Sequence, residues 1–269
     1  MKINVLIVQL EAVAGDIIAN INKVESLLEN SNVKYADLIV LPELWTTGWD
    51  CPNFPKYAEE VYSSQTYKFL QKVARKYKSN VIGGSAILYK EGEKNKNTSL
   101  IFNRDGELIS TYEKFHLFSH RGQSEGNFLE EGLTPVIAEL DIGKIGISIC
   151  YDIRFPEMFR LYAFNEVDLI VNMAAWPKNF VDEYVTLAKA RAIENQTIFI
   201  TSALTGKINE EFNFSGNSAV YNYNGKEIAK LNEEETVLSV ELNLDEMIEY
   251  RKQMPMLRDT KKAYQILER

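Results

Sequence analysis

Residues 144–157 read KIGISICYDIRFPE, an apolar run that ends at Cys150 and passes at once into a polar turn. The run over residues 145–149 predicts a buried strand, and Pro156 opens a predicted helix over residues 156–164. Folds that alternate strands and helices place their reactive side chains outside the carboxyl ends of the strands. The stretch therefore predicts an α/β fold that carries the thiol at a strand end.

Short apolar segments and amphipathic segments alternate along the rest of the chain. Helical spacing of apolar side chains predicts helices over residues 16–30, 64–78, 156–164 and 181–195, and a last helix that starts near Leu244. Strands are predicted over residues 3–10, 37–41, 81–89, 97–102, 108–112, 136–140, 145–149, 168–172, 198–202, 218–221 and 237–242. Because no linker or low-complexity tract interrupts the pattern, we expect one domain over residues 1–269, built as two sheets with helices outside.

The composition limits the classes of function. Of the 269 residues 45% are apolar and 25% are charged, as in ordinary globular proteins. The net charge of −8 disfavours a nucleic-acid partner, which usually requires a basic face. No apolar run reaches the roughly 18 residues of a membrane span, and residues 3–10 are expected to form a strand rather than a signal peptide. With only two cysteines, Cys51 and Cys150, we expect a cytoplasmic protein without nucleic-acid or membrane partners.

Three polar residues stand where predicted strands end. Glu43 and Lys114 follow the strands over residues 37–41 and 108–112, as Cys150 follows its own strand. If these strands share a direction, the three side chains converge at one edge. An isolated thiol has a pKa of about 8.5 and is a modest nucleophile at neutral pH. A carboxylate can accept its proton, and an ammonium can favour the thiolate and stabilise an oxyanion, so the set fits acyl transfer.

Each of these residues also has a structural interpretation when it is taken alone. A cysteine at a strand end is commonly a small buried apolar side chain, a glutamate after Leu-Pro is commonly a turn residue, and a lysine after a strand is commonly solvated. Local spacing does not decide between the two interpretations.

Five segments together give the chain a family resemblance. They are Leu41-Pro42-Glu43-Leu44-Trp45, Tyr112-Glu113-Lys114-Phe115-His116-Leu117, Ile149-Cys150-Tyr151-Asp152-Ile153-Arg154-Phe155-Pro156-Glu157, Asn172-Met173-Ala174-Ala175-Trp176-Pro177 and Ala190-Arg191-Ala192-Ile193-Glu194-Asn195-Gln196. The first three resemble, in order, the signatures of the nitrilase superfamily of carbon–nitrogen hydrolases. This resemblance implies a four-layer α-β-β-α sandwich without a metal or organic cofactor. It also implies that Glu43 is the general base, Lys114 the oxyanion-stabilising cation and Cys150 the nucleophile.

The resemblance implies a second glutamate in the loop that follows the lysine. This loop, residues 119–132, offers Glu125, Glu130 and Glu131. Aligning the end of the loop at Phe128-Leu129 favours Glu125, which would fix the lysine and help to position the substrate or the hydrolytic water. A solvated acidic loop is the alternative.

A pocket beside the nucleophile is expected from the residues that follow two strands. The Tyr151 N–H is a candidate second donor to the oxyanion. Met173, Ala174 and Trp176 lie at and beyond the end of the neighbouring strand, so they are expected to line the pocket, with a purely core role as the alternative for Trp176.

Other polar residues near these segments receive structural interpretations. Arg154 and Glu157 are expected to brace the turn after the nucleophile through a buried arginine–carboxylate pair rather than to bind substrate. His116 is expected to make a structural hydrogen bond, with a Cys–His dyad that uses His116 or His120 as the alternative. Cys51 is expected to be inert.

The segments are most similar to the bacterial ω-amidase branch, which implies a small-molecule monoamide of a dicarboxylate, such as 2-oxoglutaramate or 2-oxosuccinamate, as substrate. Its far carboxylate needs a cation, for which Arg121 and Lys178 are candidates in loops. An N-carbamoyl or aliphatic amide hydrolase is the alternative within the family, and a non-catalytic, redox-sensitive binding module is the alternative outside it.

The family resemblance also implies assembly into a homodimer or a higher homo-oligomer. The apolar segment Met254-Pro255-Met256-Leu257 is a candidate contact with a partner subunit, and packing of this segment on its own domain is the alternative.

Overall fold

The computed structural model describes residues 1–120, 123–208 and 212–261, which form two large sheets flanked by helices. The strands of the first sheet are β1 (Lys2–Gln9), β2 (Leu38–Val40), β3 (Glu59–Glu60), β4 (Asn80–Ile82), β5 (Ala86–Tyr89), β6 (Lys96–Phe102), β7 (Leu108–Glu113) and β18 (Thr236–Asn243). Their order is β18-β1-β2-β4-β6-β5-β3, and β7 pairs the other edge of β6. This sheet is mixed, with β1, β2 and β4 parallel to each other and β18 antiparallel to β1.

The second sheet carries the nucleophile candidate. Its strands are β10 (Val136–Leu140), β11 (Gly143–Ile149), β12 (Leu169–Ala174), β13 (Ile198–Ala203), β16 (Ala219–Tyr221) and β17 (Glu227–Lys230), in that spatial order. The three strands β11, β12 and β13 are parallel, so their carboxyl ends lie at one edge. Two short ribbons pair β8 (Ser119–His120) with β9 (Gln123–Ser124) and β14 (Thr205–Lys207) with β15 (Asn213–Ser215).

The helices begin and end where the local sequence provides caps. They are α1 (Ile17–Asn30), α2 (Phe54–Tyr57), α3 (Gln65–Tyr77), α4 (Pro156–Phe164), α5 (Val181–Asn195), α6 (Leu244–Gln253) and α7 (Met256–Asp259). The side chains of Asp16 and Ser64 accept backbone N–H bonds in the first turns of α1 and α3, which satisfies donors that have no partner inside the helix. Within the described ranges, no helix has the length and apolar character needed to cross a membrane.

The two sheets face each other across a shared core. Along β1 the side chains of Ile3, Val5 and Ile7 pack with the second sheet, whereas Leu6 and Val8 pack toward α1 and α3 on the other face. On the far side of the second sheet, α5 packs against β13 and β16, and α4 packs against α5. The order of layers is therefore α-β-β-α, which confirms the predicted sandwich.

Most predicted elements are present within a few residues of their predicted ends, and α4 and α5 have the predicted bounds. The prediction of one strand over residues 81–89 is wrong, because the chain forms β4 and β5 with Gly83 and Gly84 between them. Gly84 has a φ of +62°, a left-handed conformation that breaks the strand and that glycine adopts without steric cost. The short ribbons and β17 were not predicted, because they have little apolar periodicity.

Strand directions bring the predicted site residues to one end of the sandwich. Because β7 is antiparallel to β6, and β6 is antiparallel to β4, the carboxyl ends of β2, β4 and β7 lie at the same edge of the first sheet. Glu43 and Lys114 leave the sheet at that edge, and Cys150 leaves the second sheet at the end of β11.

Candidate active site

Glu43 lies in a turn that is anchored to the break between β4 and β5. The N–H of the next residue, Leu44, donates to Ser85 Oγ at 3.0 Å. The backbone approaches so closely at Gly84 that a Cβ atom there would lie 2.2 Å from the Pro42 carbonyl oxygen. The glycine break that interrupts the predicted strand is therefore also what supports the turn carrying Glu43.

The Glu43 carboxylate is fully buried and accepts hydrogen bonds from both sheets. Its Oε1 accepts from Lys114 Nζ at 2.8 Å and from Asn97 Nδ2 at 3.0 Å. Its Oε2 accepts from the backbone N–H of Ala175 at 2.8 Å. These donors compensate the loss of water around the carboxylate and fix its orientation.

Lys114 lies between two buried carboxylates. Its Nζ is 2.8 Å from Glu43 Oε1 and 2.6 Å from Glu125 Oε2, and none of the three side chains is accessible to solvent. Burial alone would lower the pKa of Lys114, but the attraction of Glu125 and then of Glu43 outweighs it, so the pKa is raised well above its usual range. The lysine is therefore a fixed cation, and its Nζ also lies 5.7 Å from the centre of a Trp49 ring.

Glu125 is the glutamate of the 119–132 loop that the structure brings to the lysine. Besides Lys114 Nζ, it accepts from the Phe118 N–H at 2.7 Å and from Asn97 Nδ2 at 3.1 Å. Burial raises the pKa of the Glu125 carboxyl, against the opposing effect of the lysine. Glu130 and Glu131 are exposed and lie away from this cluster.

Cys150 occupies the first position after β11 with a φ of +46°, and only 6% of the residue is exposed. Burial raises the pKa of its thiol well above the usual value, and the Glu43 carboxylate raises it further. The Lys114 ammonium and the Ala175 N–H act in the opposite direction. The thiol is therefore protonated at rest, with a carboxylate beside it that can take the proton.

The turn after the nucleophile candidate is held by Asp152, which is completely buried. Its Oδ2 accepts from the Ile149 N–H at 2.8 Å and from the Tyr112 hydroxyl at 2.6 Å. Its Oδ1 accepts from the His116 N–H at 3.0 Å and lies 2.8 Å from His116 Nδ1. Asp152 thus ties the turn to the segment that carries Lys114, and His116 makes the structural hydrogen bond that was predicted for it.

The predicted buried brace of Arg154 and Glu157 is wrong. Both residues are exposed, and the Arg154 guanidinium instead donates to Glu183 Oε2 at 2.7 Å on α5. A buried arginine from α5 takes the bracing position, because Arg191 Nε donates to the Ile153 carbonyl at 3.0 Å. The prediction of an arginine that braces the turn assigned this role to Arg154 instead of Arg191. The sequence near the turn could not indicate Arg191, because it lies on α5, about forty residues further along the chain.

A cavity of about 380 Å³ opens beside Cys150. Tyr151, Ala175 and Pro177 form part of its wall, and the remaining apolar wall is aromatic: Trp49, Phe118, Trp176, Phe180, Phe212 and Phe214. The charged side chains that line it within the described residues are Arg154 and Glu183. The volume suits a small molecule, and the few polar groups are placed to fix its orientation.

Two predicted pocket residues lie elsewhere. Trp176 and Tyr151 line the cavity as expected, but Met173 and Ala174 belong to the core between the sheets and are absent from the described cavity wall. Both are still paired with β13, so β12 ends at Ala174, two residues later than predicted, and the chain leaves the sheet at Ala175. Ala175 takes the wall position and supplies the N–H to Glu43.

The remaining candidates lie around this site. Cys51 is buried, and burial followed by the charge of Glu125 raises the pKa of its thiol to about 12, in keeping with the inert role predicted for it. Lys178 pairs with Glu233 and is not part of the described cavity wall. Arg121 lies outside the residues that the structure describes.

Sequence reasoning missed Asn97, Ala175 and Asp152. Asn97 lies near the start of β6, where its neighbours Lys96, Thr98 and Ser99 are also polar, so nothing in the sequence distinguished it. Ala175 contributes its backbone N–H, and because every residue except proline has this group, the residue type does not predict the contact. Asp152 stood inside a quoted motif, but only the fold shows that four groups converge on its carboxylate.

A buried cation held between two carboxylates, beside a thiol that lines a small aromatic cavity, fits the chemistry of cysteine-dependent acyl transfer. The family model described as carbon–nitrogen hydrolase matches residues 4–252, and the chain belongs to this family. It is 34% identical over 262 residues to 2-oxoglutaramate amidase of Bacillus subtilis, covering 97% of this chain and 99% of that protein. It is 31% identical to the chloroplastic omega-amidase of Arabidopsis thaliana, covering 99% of this chain and 75% of the relative.

Solved structures agree with this assignment. Nit3 of Saccharomyces cerevisiae, a member of branch 10 of the nitrilase superfamily, superposes with a TM-score of 0.88 at 29% identity. The match covers 97% of this chain and 96% of the yeast chain.

Proposed function

We propose that this protein is an ω-amidase that hydrolyses the terminal carboxamide of a short dicarboxylate monoamide to a carboxylate and ammonia. The observation that carries the proposal is the Lys114 ammonium, held at 2.8 Å and 2.6 Å between two buried carboxylates beside the Cys150 cavity. The names of the relatives support the substrate class, because they include 2-oxoglutaramate amidase and omega-amidase.

Acylation begins when Glu43 accepts the Cys150 proton and the sulfur attacks the amide carbon. The new carbon–sulfur bond turns the carbonyl oxygen into an oxyanion, which Lys114 Nζ and the Tyr151 N–H stabilise. Glu43 then gives its proton to the nitrogen, the carbon–nitrogen bond breaks, and ammonia leaves a thioester on Cys150.

Deacylation uses the same carboxylate a second time. Glu43 takes a proton from water as the oxygen attacks the thioester carbon. The carbon–sulfur bond then breaks, the acid is released, and Glu43 returns its proton to the departing sulfur, which restores the thiol. Glu125 acts on both steps by fixing the position of Lys114 and by orienting the substrate or the water.

Ammonia release from 2-oxoglutaramate, 2-oxosuccinamate, an N-carbamoyl amino acid and a neutral aliphatic amide tests the proposal. We expect turnover of the two oxo acid amides at the highest kcat/KM. A higher kcat/KM for the carbamoyl compound or the neutral amide would assign the protein to another branch of the family. If none of the four compounds is hydrolysed, the non-catalytic binding module becomes the favoured interpretation.

Two variants test the assigned roles. Cys150→Ala should abolish ammonia release and leave the unfolding midpoint within a few degrees of wild type. Glu43→Gln should lose the acyl-enzyme burst, because the glutamine cannot accept the thiol proton. A normal burst in Glu43→Gln would exclude this residue as the base.

We further propose that residues 1–269 form one hydrolase domain that assembles as a homodimer or a larger homo-oligomer in the cytoplasm. The family match over residues 4–252 and the shared core of the two sheets support one domain. The two cysteines, which are unpaired, support a reducing compartment.

A further inference from the structure

Two buried carboxylates share one lysine in the candidate site, and the proposed function, on which this inference rests, needs Glu43 ionised at rest. We propose that Asn97 is a positioning residue that keeps Glu43 and Glu125 ionised side by side and directs the thiol proton to one oxygen of Glu43. Asn97 is absent from the described cavity wall, so it acts through the carboxylates and not on the substrate.

Asn97 contacts the whole charged cluster from one position in β6. Its Nδ2 lies 3.0 Å from Glu43 Oε1 and 3.1 Å from Glu125 Oε1, so each amide hydrogen serves one carboxylate. Its backbone carbonyl accepts the Lys114 N–H at 2.8 Å. The side chain therefore fixes the two carboxylates, and the main chain fixes the point where the lysine leaves β7.

The carbonyl oxygen of the Asn97 side chain shows that the residue is used as a donor. Oδ1 is buried and has no hydrogen-bond partner among the described residues. Exchanging the oxygen and the nitrogen would turn this oxygen toward two carboxylates, which would repel it. An unpaired buried acceptor is costly, and a residue that only filled the space would avoid that cost with an apolar side chain.

The donors around Glu43 determine which of its oxygens acts as the base. Each carboxylate oxygen has two lone pairs. On Oε1, Lys114 Nζ and Asn97 Nδ2 occupy both of them. On Oε2, the Ala175 N–H occupies one, which leaves one among the described contacts for the Cys150 proton. Loss of Asn97 would expose a second basic position on Oε1, on the side held by the lysine.

The charge balance makes the two hydrogen bonds of Asn97 important. Two carboxylates and one ammonium leave an uncompensated negative charge, and none of the three side chains is accessible to solvent. Burial raises the pKa of the Glu125 carboxyl, Lys114 opposes this, and the charge of Glu43 adds to it. Because a hydrogen bond to the ionised form favours that form, the pair should take up a proton at a higher pH without Asn97.

Other titratable groups near the pair do not account for such a change on the acid side. The thiols of Cys150 and Cys51 and the Tyr184 hydroxyl stay protonated there, because burial raises the pKa of each. Arg154 and Glu183, which line the cavity, form an ion pair with each other that an Asn97 variant leaves intact.

The test is the pH dependence of kcat/KM for 2-oxoglutaramate in Asn97→Leu and in the wild type. We expect the acid limb of the variant to move about one pH unit higher, and kcat above the limb to fall about 10-fold with KM within about 3-fold. Asn97→Thr keeps one donor and suits a strand, so it should show about half the shift, and it decides the matter if Asn97→Leu does not fold. An acid limb at the wild-type pH would show that Asn97 only fills space and would overturn the inference.

Asn80→Leu is the matched control. Asn80 is also buried, and its Nδ2 donates to the Asp37 carbonyl at 3.0 Å and to Asp141 Oδ1 at 2.6 Å, at the start of β4 and so at the opposite edge of the sheet. The control should lower the midpoint of urea unfolding and keep the acid limb of the wild type. A limb shifted as far as in Asn97→Leu would mean that loss of any buried amide has this effect, against a specific role for Asn97.

Alkylation of Cys150 by iodoacetamide separates this inference from the proposed function. The mass of the peptide that contains Cys150 reports the reaction without an amide substrate. Its acid limb should also move to higher pH in Asn97→Leu, because the thiol can pass its proton only to an ionised carboxylate. If the wild type hydrolyses no amide, the proposed function fails and the alkylation profiles alone decide the role of Asn97. Identical profiles in the wild type and the variant would rule that role out.

Discussion

Cys150 and Leu44 share an uncommon backbone conformation, with φ angles of +46° and +48°. Residues with a side chain rarely adopt this region, which costs of the order of 1 kcal/mol or more and persists only where surrounding contacts impose it. One residue is the nucleophile candidate and the other directly follows Glu43. The chain turns at Cys150 directly after β11, and at Leu44 four residues after β2 ends at Val40, and the two turns bring the thiol and the carboxylate together between the sheets.

The raised pKa of the Cys150 thiol predicts how stability depends on pH. Above about pH 8.5 the unfolded chain releases this proton while the folded protein retains it, so the folded state loses stability as the pH rises. One such thiol contributes a slope of at most about 1.4 kcal/mol per pH unit. The free energy of urea unfolding should therefore fall more steeply between pH 8 and pH 10 in the wild type than in Cys150→Ala.

The difference in pH-dependent stability between the wild type and Cys150→Ala isolates the contribution of this thiol. Tyr112 and Tyr162 also have raised pKa values, from burial and from the charge of Asp152, and because both causes are present in both proteins these contributions cancel. Parallel stability curves would mean that Lys114 holds the thiol pKa near its ordinary value.

The turn that follows β11 is held in place by the buried carboxylate of Asp152, and not by a residue on its surface. The carboxylate accepts from the Ile149 N–H at the end of β11, from the Tyr112 hydroxyl within β7 and from the His116 N–H after β7, so it joins elements of the two sheets. Asp152→Asn keeps the shape but removes the charge and half of the acceptor capacity. We expect a loss of about 2 kcal/mol in the free energy of unfolding and a fall in kcat with little change in KM.

Glu157→Gln is the matched control for that substitution. Glu157 is exposed in the first turn of α4, so its loss should change stability by less than about 0.5 kcal/mol and leave kcat unaltered. Equal effects of the two substitutions on urea unfolding and on steady-state kinetics would contradict the role given to Asp152.

The candidate site is formed only where the two sheets of the sandwich meet. Glu43 leaves the first sheet and accepts the N–H of Ala175 from the second, while the core between the sheets is apolar. The chemistry therefore needs the sandwich to be assembled, which is why residues more than one hundred positions apart act together.

The proposed assembly can be tested at the C-terminal end of the described chain. Gln196 Nε2 donates to the Met254 carbonyl at 2.7 Å, so this segment packs against its own domain through its backbone. The Met254 and Met256 side chains are nevertheless 51% and 38% exposed. Replacing both with glutamate should convert the oligomer to monomers in sedimentation velocity, because a charge buried in an apolar interface is costly.

Ile18→Glu is the control, since Ile18 is 54% exposed on α1 and should tolerate a charge without a change in sedimentation. An unchanged sedimentation coefficient in the double methionine variant would exclude this segment as the subunit contact.

Features that depend on local sequence were easier to predict than contacts that depend on a residue distant in the sequence. Most strands and helices were predictable, because apolar periodicity is a local property. Glu43, Lys114 and Cys150 were named as site candidates through the family resemblance, because local spacing did not decide between a structural and a chemical role. Glu125 was favoured over Glu130 and Glu131 by the pattern of the loop, and the structure places it at the lysine. The brace by Arg191, the pocket role of Ala175 and the direction of Arg154 were not predictable, since each depends on a partner remote in sequence.

The sequence by itself determined the alternation of strands and helices and the identity of the reactive groups, because periodicity and side-chain chemistry are written residue by residue. Only the tertiary structure decided which groups meet. It placed Lys114 between two carboxylates, turned Arg154 from a supposed brace into a cavity residue and moved the strand end to Ala174. The physical reason is that hydrogen bonds and ion pairs act over a few ångströms in space, and the distance between two residues along the chain does not fix that separation.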